Sequence, residues 1–294
     1  LILLLQAAAV LLLTAACQAD LLTEQDETLI PDPSAPIELS GSAPIETEAS
    51  GVVTRADGDR LSFTLYAVPS SSSSWPAAPY INEVNATLAS GSGTARRISF
   101  SPAAYWPVGG QSLKFIGVMK ANGATTLSSG SVSLTAGQGE DKDVLLSNNF
   151  TGNKSNHSGS MTFNRLMARL IVKPGTDNKQ VVTCNINGGS TGATYNVLTE
   201  ATSNQSGTHT ISYSTNSDSQ TYYLIPGTTI SELTNVGAGG TSKGTIQLTN
   251  SSGSNTSFKT TAGHSYTIEV TAKGATLVTS GLSIDNSWGN GGKL

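Results

Sequence analysis

The chain has 294 residues and a formal net charge of −4, with 12% charged and 6% aromatic residues. This balance excludes the basic surface that a nucleic-acid partner needs. The abundance of Gly, Ser, Thr and Asn is typical of an extracellular β-protein with short strands and polar turns, and it argues against a helical enzyme.

An apolar leader, rich in leucine and alanine, occupies residues 1–16 and ends in small residues. It is short for a membrane span and has the small-residue exit of a signal peptide. Cys17 follows directly, as lipoprotein signal peptidases require, although Thr14 stands where Leu is usual. We therefore predict cleavage before Cys17 and acylation of its thiol, which would anchor the chain in the outer membrane. The alternative is an ordinary signal peptide followed by an incidental cysteine.

The mature chain is predicted to begin with a tether and a first strand, residues 17–55. Residues 18–44 are acidic, rich in serine and interrupted by four prolines, which favours an extended tether. Beyond them, apolar or β-branched residues alternate with Glu and Ser, and this pattern predicts a half-buried strand whose inner face carries Ile45, Thr47, Ala49 and Val53. Arg55 and Ala56 then begin an exposed turn.

The remaining chain shows a series of short strand patterns separated by Gly, Asn and Ser clusters, at the spacing expected of β-sandwiches. No helical stripe is present. Strands are predicted at 61–68, 96–100, 112–119, 131–134, 160–172, 181–186, 208–213, 221–225, 244–248 and 265–272. Residues 147–159 are the candidate boundary between an N-terminal domain, 56–155, and a C-terminal domain, 156–294. In the last segment, 276–294, Val278, Leu282 and Ile284 alternate with polar or small residues.

Five segments, in order along the chain, resemble motifs of the fimbrillin family, the subunits of type V pili in Bacteroidales-type bacteria. They are 101–118, which contains Tyr105-Trp106-Pro107; 143–172, in which Arg165 replaces the customary His; 222–226; 258–270; and 282–288. The resemblance implies an all-β fold of two transthyretin-like β-sandwich domains. It also implies a surface lipoprotein, cleavage by an arginine-specific protease, and polymerisation by strand exchange.

The residues themselves favour such an exchange. The strand at 45–53 is joined to the body through the Arg55–Ala56 bond, so cutting that bond would leave a groove with unpaired backbone donors. The segment 276–294 of a neighbouring subunit would fill the groove by β-augmentation. In this hypothesis Val278, Leu282 and Ile284 take the places of Ile45, Ala49 and Val53. The alternative is that both segments are ordinary edge strands of one monomer.

No constellation of residues predicts an active site, a metal site or a cofactor, so the chain is not expected to be an enzyme. The three histidines, His157, His209 and His264, lack metal-ligand spacing. The sequence predicts a pilus subunit acting in adhesion at the cell surface. The rival is a carbohydrate-binding outer-membrane lipoprotein that uses Trp75, Trp106 and Trp288 as a sugar platform. Exposed, coplanar tryptophans would favour the rival, and a buried Trp106 the pilin.

Overall fold

The computed structural model describes residues 29–43, 60–91, 95–120, 122–174, 182–207, 209–215, 220–238, 244–249, 252, 254–273 and 276–285. The regular secondary structure of these residues is β-strand, with a 3-10 turn at Glu140–Lys142. Within the described ranges no helix has the length and apolarity needed to cross a membrane.

The first twelve strands lie before residue 166. They are β1 (Pro31–Pro36), β2 (Leu39–Ser42), β3 (Leu61–Pro69), β4 (Ile81–Leu88), β5 (Arg96–Phe100), β6 (Tyr105–Pro107), β7 (Leu113–Lys120), β8 (Gly123–Ala124), β9 (Ser131–Thr135), β10 (Val144–Gly152), β11 (Ser160–Thr162) and β12 (Asn164–Arg165).

Twelve more strands follow in the described ranges. They are β13 (Ala168–Pro174), β14 (Val182–Gly189), β15 (Gly192–Asn196), β16 (Ala201–Ser206), β17 (His209–Thr215), β18 (Gln220–Leu224), β19 (Thr229–Ile230), β20 (Glu232–Ala238), β21 (Gly244–Gln247), β22 (Phe258–Lys259), β23 (Ser265–Lys273) and β24 (Thr276–Asp285).

One large sheet organises the N-terminal half, in the order β11-β2-β5-β4-β3-β7-β10-β12, with β8 beside β7. The alternation in β3 explains how this sheet is covered on both faces. Phe63 and Leu65 enter a first core with residues of β2, β4, β5 and β7. Tyr66 and Val68, on the opposite face, enter a different core. At β3 the large sheet is therefore buried on both faces.

The core that contains Tyr66 and Val68, called the shared core, joins the two halves of the chain. Val132 and Leu134 of β9 pack in it with Ala193, Val197 and Tyr223. The backbone follows the same route, because β9 pairs with β15 in a three-stranded sheet of order β16-β15-β9.

The C-terminal half is a β-sandwich. One sheet has the order β18-β13-β23-β24 and the other the order β17-β14-β20-β21. Its core contains Leu170, Val172, Leu233, Ile246 and Ile268, which are all buried. The predicted all-β sandwich class is confirmed, whereas the division into domains at 155/156 remains a prediction.

Two sequence predictions about elements need correction, and the domain boundary stays a prediction. The predicted tether at 18–44 is wrong for its last part, because Pro31–Pro36 and Leu39–Ser42 are strands. The predicted strand at 160–172 is three strands, since the chain leaves the large sheet after β12 and enters the sandwich at β13. The proposed boundary at 147–159 overlaps β10, which continues to Gly152. The predicted strand at 45–53 lies outside the described residues.

Candidate functional site

The strand β2 lies inside the large sheet, with β5 on one side and β11 on the other. It runs antiparallel to β5, where Leu39 is opposite Ile98. It runs parallel to β11, where Gly41 is opposite Met161. Its departure would therefore leave backbone donors and acceptors without partners on two strands.

Side chains of this strand and of the two residues before it also contribute to the first core or face away from it. Ile37 is 6% exposed and Leu39 is 4% exposed, and both pack in the first core. On the other face, Glu38 is exposed and Ser40 is half-buried. The hydroxyl of Ser40 donates to the carbonyl oxygen of Gly159 at 3.1 Å, which ties β2 to the loop before β11.

The preceding strand, β1, holds the same N-terminal segment at a second place. It pairs with β6, and the amide of Val108 donates to the carbonyl oxygen of Ile30 at 2.8 Å. The Asp32 carboxylate forms an ion pair with Lys154. The Lys154 hydrogen bond, with further hydrogen bonds from the Ser34 hydroxyl and amide, lowers the pKa of Asp32 to about 2.

An open cavity of about 780 Å³ lies beside this segment. Residues 36–40 form one wall, and β5, residues 103–104 and the loop 157–159 form the others. Its charged groups are Glu38 and Arg97, and its apolar walls include Phe100 and Ala104. Since one wall comes from the N-terminal segment, the cavity exists in this form only while β1 and β2 remain in place.

Most residues that the sequence assigned to processing and exchange fall outside the described ranges, and their assignments stay predictions. They are Cys17, Ile45, Ala49, Val53, Arg55 and Ala56. The buried residues that precede Arg55 in the structure are Ile37, Leu39 and Gly41. Sequence analysis missed them, although the alternation Ile37-x-Leu39-x-Gly41 directly after the prolines is a strand signal.

The predicted donor segment begins with β24, an edge strand paired with β23 over its whole length. In this pairing Leu282 is opposite Ile268 and Val278 is opposite Thr271. A bulge between these two pairs shifts the register by one residue. The regular backbone register is therefore interrupted between positions 278 and 282. Ile284 is 49% exposed.

Trp75 and Trp106 do not form the exposed platform that the carbohydrate-binding alternative would use. Trp106 is 2% exposed and meets Phe115 edge to face, with ring centroids 5.5 Å apart. Trp75 is half-buried against Tyr66, and Trp288 lies outside the described ranges. Within the described part of the chain, no group of three or more acidic, histidine or cysteine residues is placed to hold a metal ion.

Comparison with known proteins shows which family and which solved structures this chain resembles. A family model described as fimbrillin-like matches residues 53–288. Among curated proteins, none matches the chain in sequence. A solved structure of a candidate cell adhesion protein from Bacteroides uniformis has a TM-score of 0.57 and 17% identity, covering 87% of this chain and 99% of its own. A second, from Bacteroides ovatus, has a TM-score of 0.51 and 16% identity, with coverages of 84% and 96%. At these identities the two structures show the fold alone. The family match spans most of the chain, so the chain belongs to the fimbrillin-like family.

Proposed function

We propose that this protein is a structural subunit of a bacterial surface pilus that acts in adhesion. It is made as a lipoprotein precursor, anchored through Cys17 to the outer membrane, and activated by an arginine-specific protease that cuts after Arg55. Subunits then polymerise by donor-strand exchange. Membership of the fimbrillin-like family supports the pilus and adhesion roles.

One observation carries the exchange step: β2 precedes Arg55 in the chain and is a paired strand within the large sheet. A cut after Arg55 would separate β1 and β2 covalently from everything that they pack against. The body would then keep its fold with a slot between β5 and β11.

The slot needs a replacement for two physical reasons. Unpaired backbone groups on β5 and β11 that are shielded from water are each unfavourable by about 1–3 kcal/mol. The sites of Ile37 and Leu39 would open to water, and burial of each aliphatic side chain contributes about 1.5–3 kcal/mol. A strand from another chain both pairs the free backbone groups and buries the apolar sites again.

Replacement by a neighbour's strand yields a fibre. The slot lies in the N-terminal half and the candidate donor, 276–294, begins in the C-terminal half. A contact between two different surfaces of identical subunits is heterologous, and when its rotation does not close it builds an open polymer.

The test compares wild-type chain with Arg55→Ala and with the matched control Arg60→Ala, since Arg60 is exposed just before β3. After treatment with an arginine-specific protease, wild type and Arg60→Ala should start at Ala56 and form ladders on unheated gels. Arg55→Ala should keep its N-terminal segment and stay monomeric. Equal polymerisation of Arg55→Ala would overturn the proposal.

A further inference from the structure

Gly41 occupies a position in β2 where no side chain fits. A Cβ atom built there would lie 2.8 Å from the Met161 carbonyl oxygen and 3.0 Å from the Ile98 Cδ1 atom. The first contact is with backbone, which cannot move aside without disturbing β11. Any strand that fills this slot in the same register must therefore have glycine at this point.

The edge strand β24 carries a similar arrangement. Ser40-Gly41 in β2 is matched by Ser280-Gly281 in β24, and an apolar residue stands four positions before each glycine, Ile37 and Leu277. Gly281 is the one glycine within Thr276–Asp285.

We propose that the C-terminal strand of a second copy fills the β2 slot in a single register, which Gly281 sets by taking the position of Gly41. This inference rests on the proposed function and adds the register and the residues that select it. Leu277 and Thr279 then take the sites of Ile37 and Leu39.

The contacts of β2 support this register on both faces. On the inner face, the position of Gly41 receives no Cβ atom, whereas any other register of 276–285 places one against the Met161 carbonyl. On the outer face, Ser280 takes the place of Ser40, whose hydroxyl donates to the carbonyl oxygen of Gly159. The register also predicts strand pairs: Ser280 opposite Arg97 and Gly281 opposite Met161, as Ser40 and Gly41 are now.

This register differs from the one that alternation alone suggested. In a regular strand, successive residues face opposite sides of the sheet. With Gly281 on the inner face, Val278, Leu282 and Ile284 would therefore lie on the outer face of the filled slot. If they pointed inward, the Gly41 position would receive Ser280, Leu282 or Ile284, and each of these has a Cβ atom. The two registers therefore predict different effects for the same substitutions.

The first experiment maps the register by crosslinking full-length chains in which Cys17 and Cys184 are replaced by alanine and serine. Arg97→Cys in one copy is combined with Thr279→Cys, Ser280→Cys or Ser283→Cys in the other, and both are cut after Arg55. Ser40→Cys with Arg97→Cys in one uncut chain is the positive control, since these positions are paired. We expect an intersubunit disulfide to position 280, and at least about tenfold less to 279 and 283, which would face Arg97 if Val278, Leu282 and Ile284 pointed inward.

The second experiment changes the inner face without adding a charge. Gly281→Val should slow polymerisation by about tenfold to a hundredfold through overpacking at the Met161 carbonyl. Thr279→Leu should slow dissociation of the polymer by about tenfold, because it restores the aliphatic volume of Leu39. Leu282→Asp should leave both rates within about twofold. Melting of each uncut variant verifies that the monomer folds.

The outcomes distinguish an incorrect register from an incorrect proposed function. Polymers that crosslink through position 279 or 283, or that lose stability in Leu282→Asp but not in Gly281→Val, overturn the register and leave the pilin proposal intact. If cut wild-type chains form no intersubunit contact at all, both proposals fall.

Discussion

Arg165 donates from Nε to the Oδ2 atom of Asp143 at 2.9 Å, and each of the two side chains is 1% exposed. The pair joins the turn before β10 to β12, the last described strand before the chain enters the C-terminal half. A second link lies beside it, where the amide of Leu166 donates to the carbonyl oxygen of Val144 at 2.8 Å. This buried ion pair therefore fixes the chain where the two halves meet.

Removing one partner should be strongly destabilising. Arg165→Met would leave the Asp143 carboxylate buried without its charged partner, and we expect the free energy of unfolding to fall by about 3–5 kcal/mol in urea titrations of the uncut chain. Lys173→Met is the matched control, since its partner Glu269 and Lys173 are each about a third exposed. That control should lose less than about 1 kcal/mol. Equal losses in the two variants would show that Arg165 contributes no more than a surface charge.

Strands with strict alternation were predictable from sequence. The patterns at 61–68, 112–119 and 265–272 correspond closely to β3, β7 and β23, because each has apolar residues at every second position. Several missed strands lack that signal, although β4 carries it in Val84, Ala86 and Leu88. The exposed strand β16, Ala201–Ser206, is polar apart from Ala201, and it is a strand because β15 pairs with it.

The candidate site was harder to predict, because long-range pairing decides it. Prolines at 31, 33 and 36 argue against a strand in the middle of a sheet, yet β1 pairs with β6 in a two-stranded sheet, where proline is tolerated. The four residues of β2 show an alternation only when Ile37, which precedes the strand, is counted with them. Their position between β5 and β11 depends on residues about 60 and 120 positions away, which no local pattern contains.

Acid should loosen the N-terminal segment. The pKa of Asp32 is lowered from 3.8 to about 2, first by the hydrogen bond from Lys154. Since the folded pKa lies below the unfolded one, this carboxylate stabilises the fold fully above about pH 4, and the contribution disappears as the pH falls to about 2. In chains cut after Arg55, the N-terminal fragment should therefore dissociate faster across this range, as size-exclusion chromatography would measure.

Two variants test the cause of that pH dependence. Asp32→Asn should release the fragment faster at neutral pH and show a flatter profile between about pH 4 and 2. Asp141→Asn is the matched control: Lys142 lowers the pKa of Asp141 as well, but this pair lies on the 3-10 turn, away from β1. A profile in Asp32→Asn as steep as that of wild type would assign the pH dependence to other groups.

Lipidation is expected at Cys17, because this cysteine directly follows an apolar leader that ends in small residues. Cys17→Ala should abolish labelling by a clickable fatty acid in producing cells and release the protein from the membrane fraction. Cys184→Ser, at the chain's other cysteine, should retain the label. Undiminished labelling of Cys17→Ala would place the lipid elsewhere.

The strength with which β2 is held should set how readily a subunit polymerises. Leu39 is buried in the first core, and its replacement by alanine leaves a cavity that costs about 2–5 kcal/mol when the surroundings do not collapse. In chains cut after Arg55, Leu39→Ala should release the N-terminal fragment at least about tenfold faster, and ladders should form correspondingly sooner. Glu38→Ala, at the exposed neighbour, should change neither rate by more than about twofold. Fragment release is followed by chromatography and polymerisation by unheated gels on the same samples. If Leu39→Ala releases its fragment faster but polymerises no sooner, departure of β2 does not limit assembly; if it does neither, Leu39 does not hold the strand.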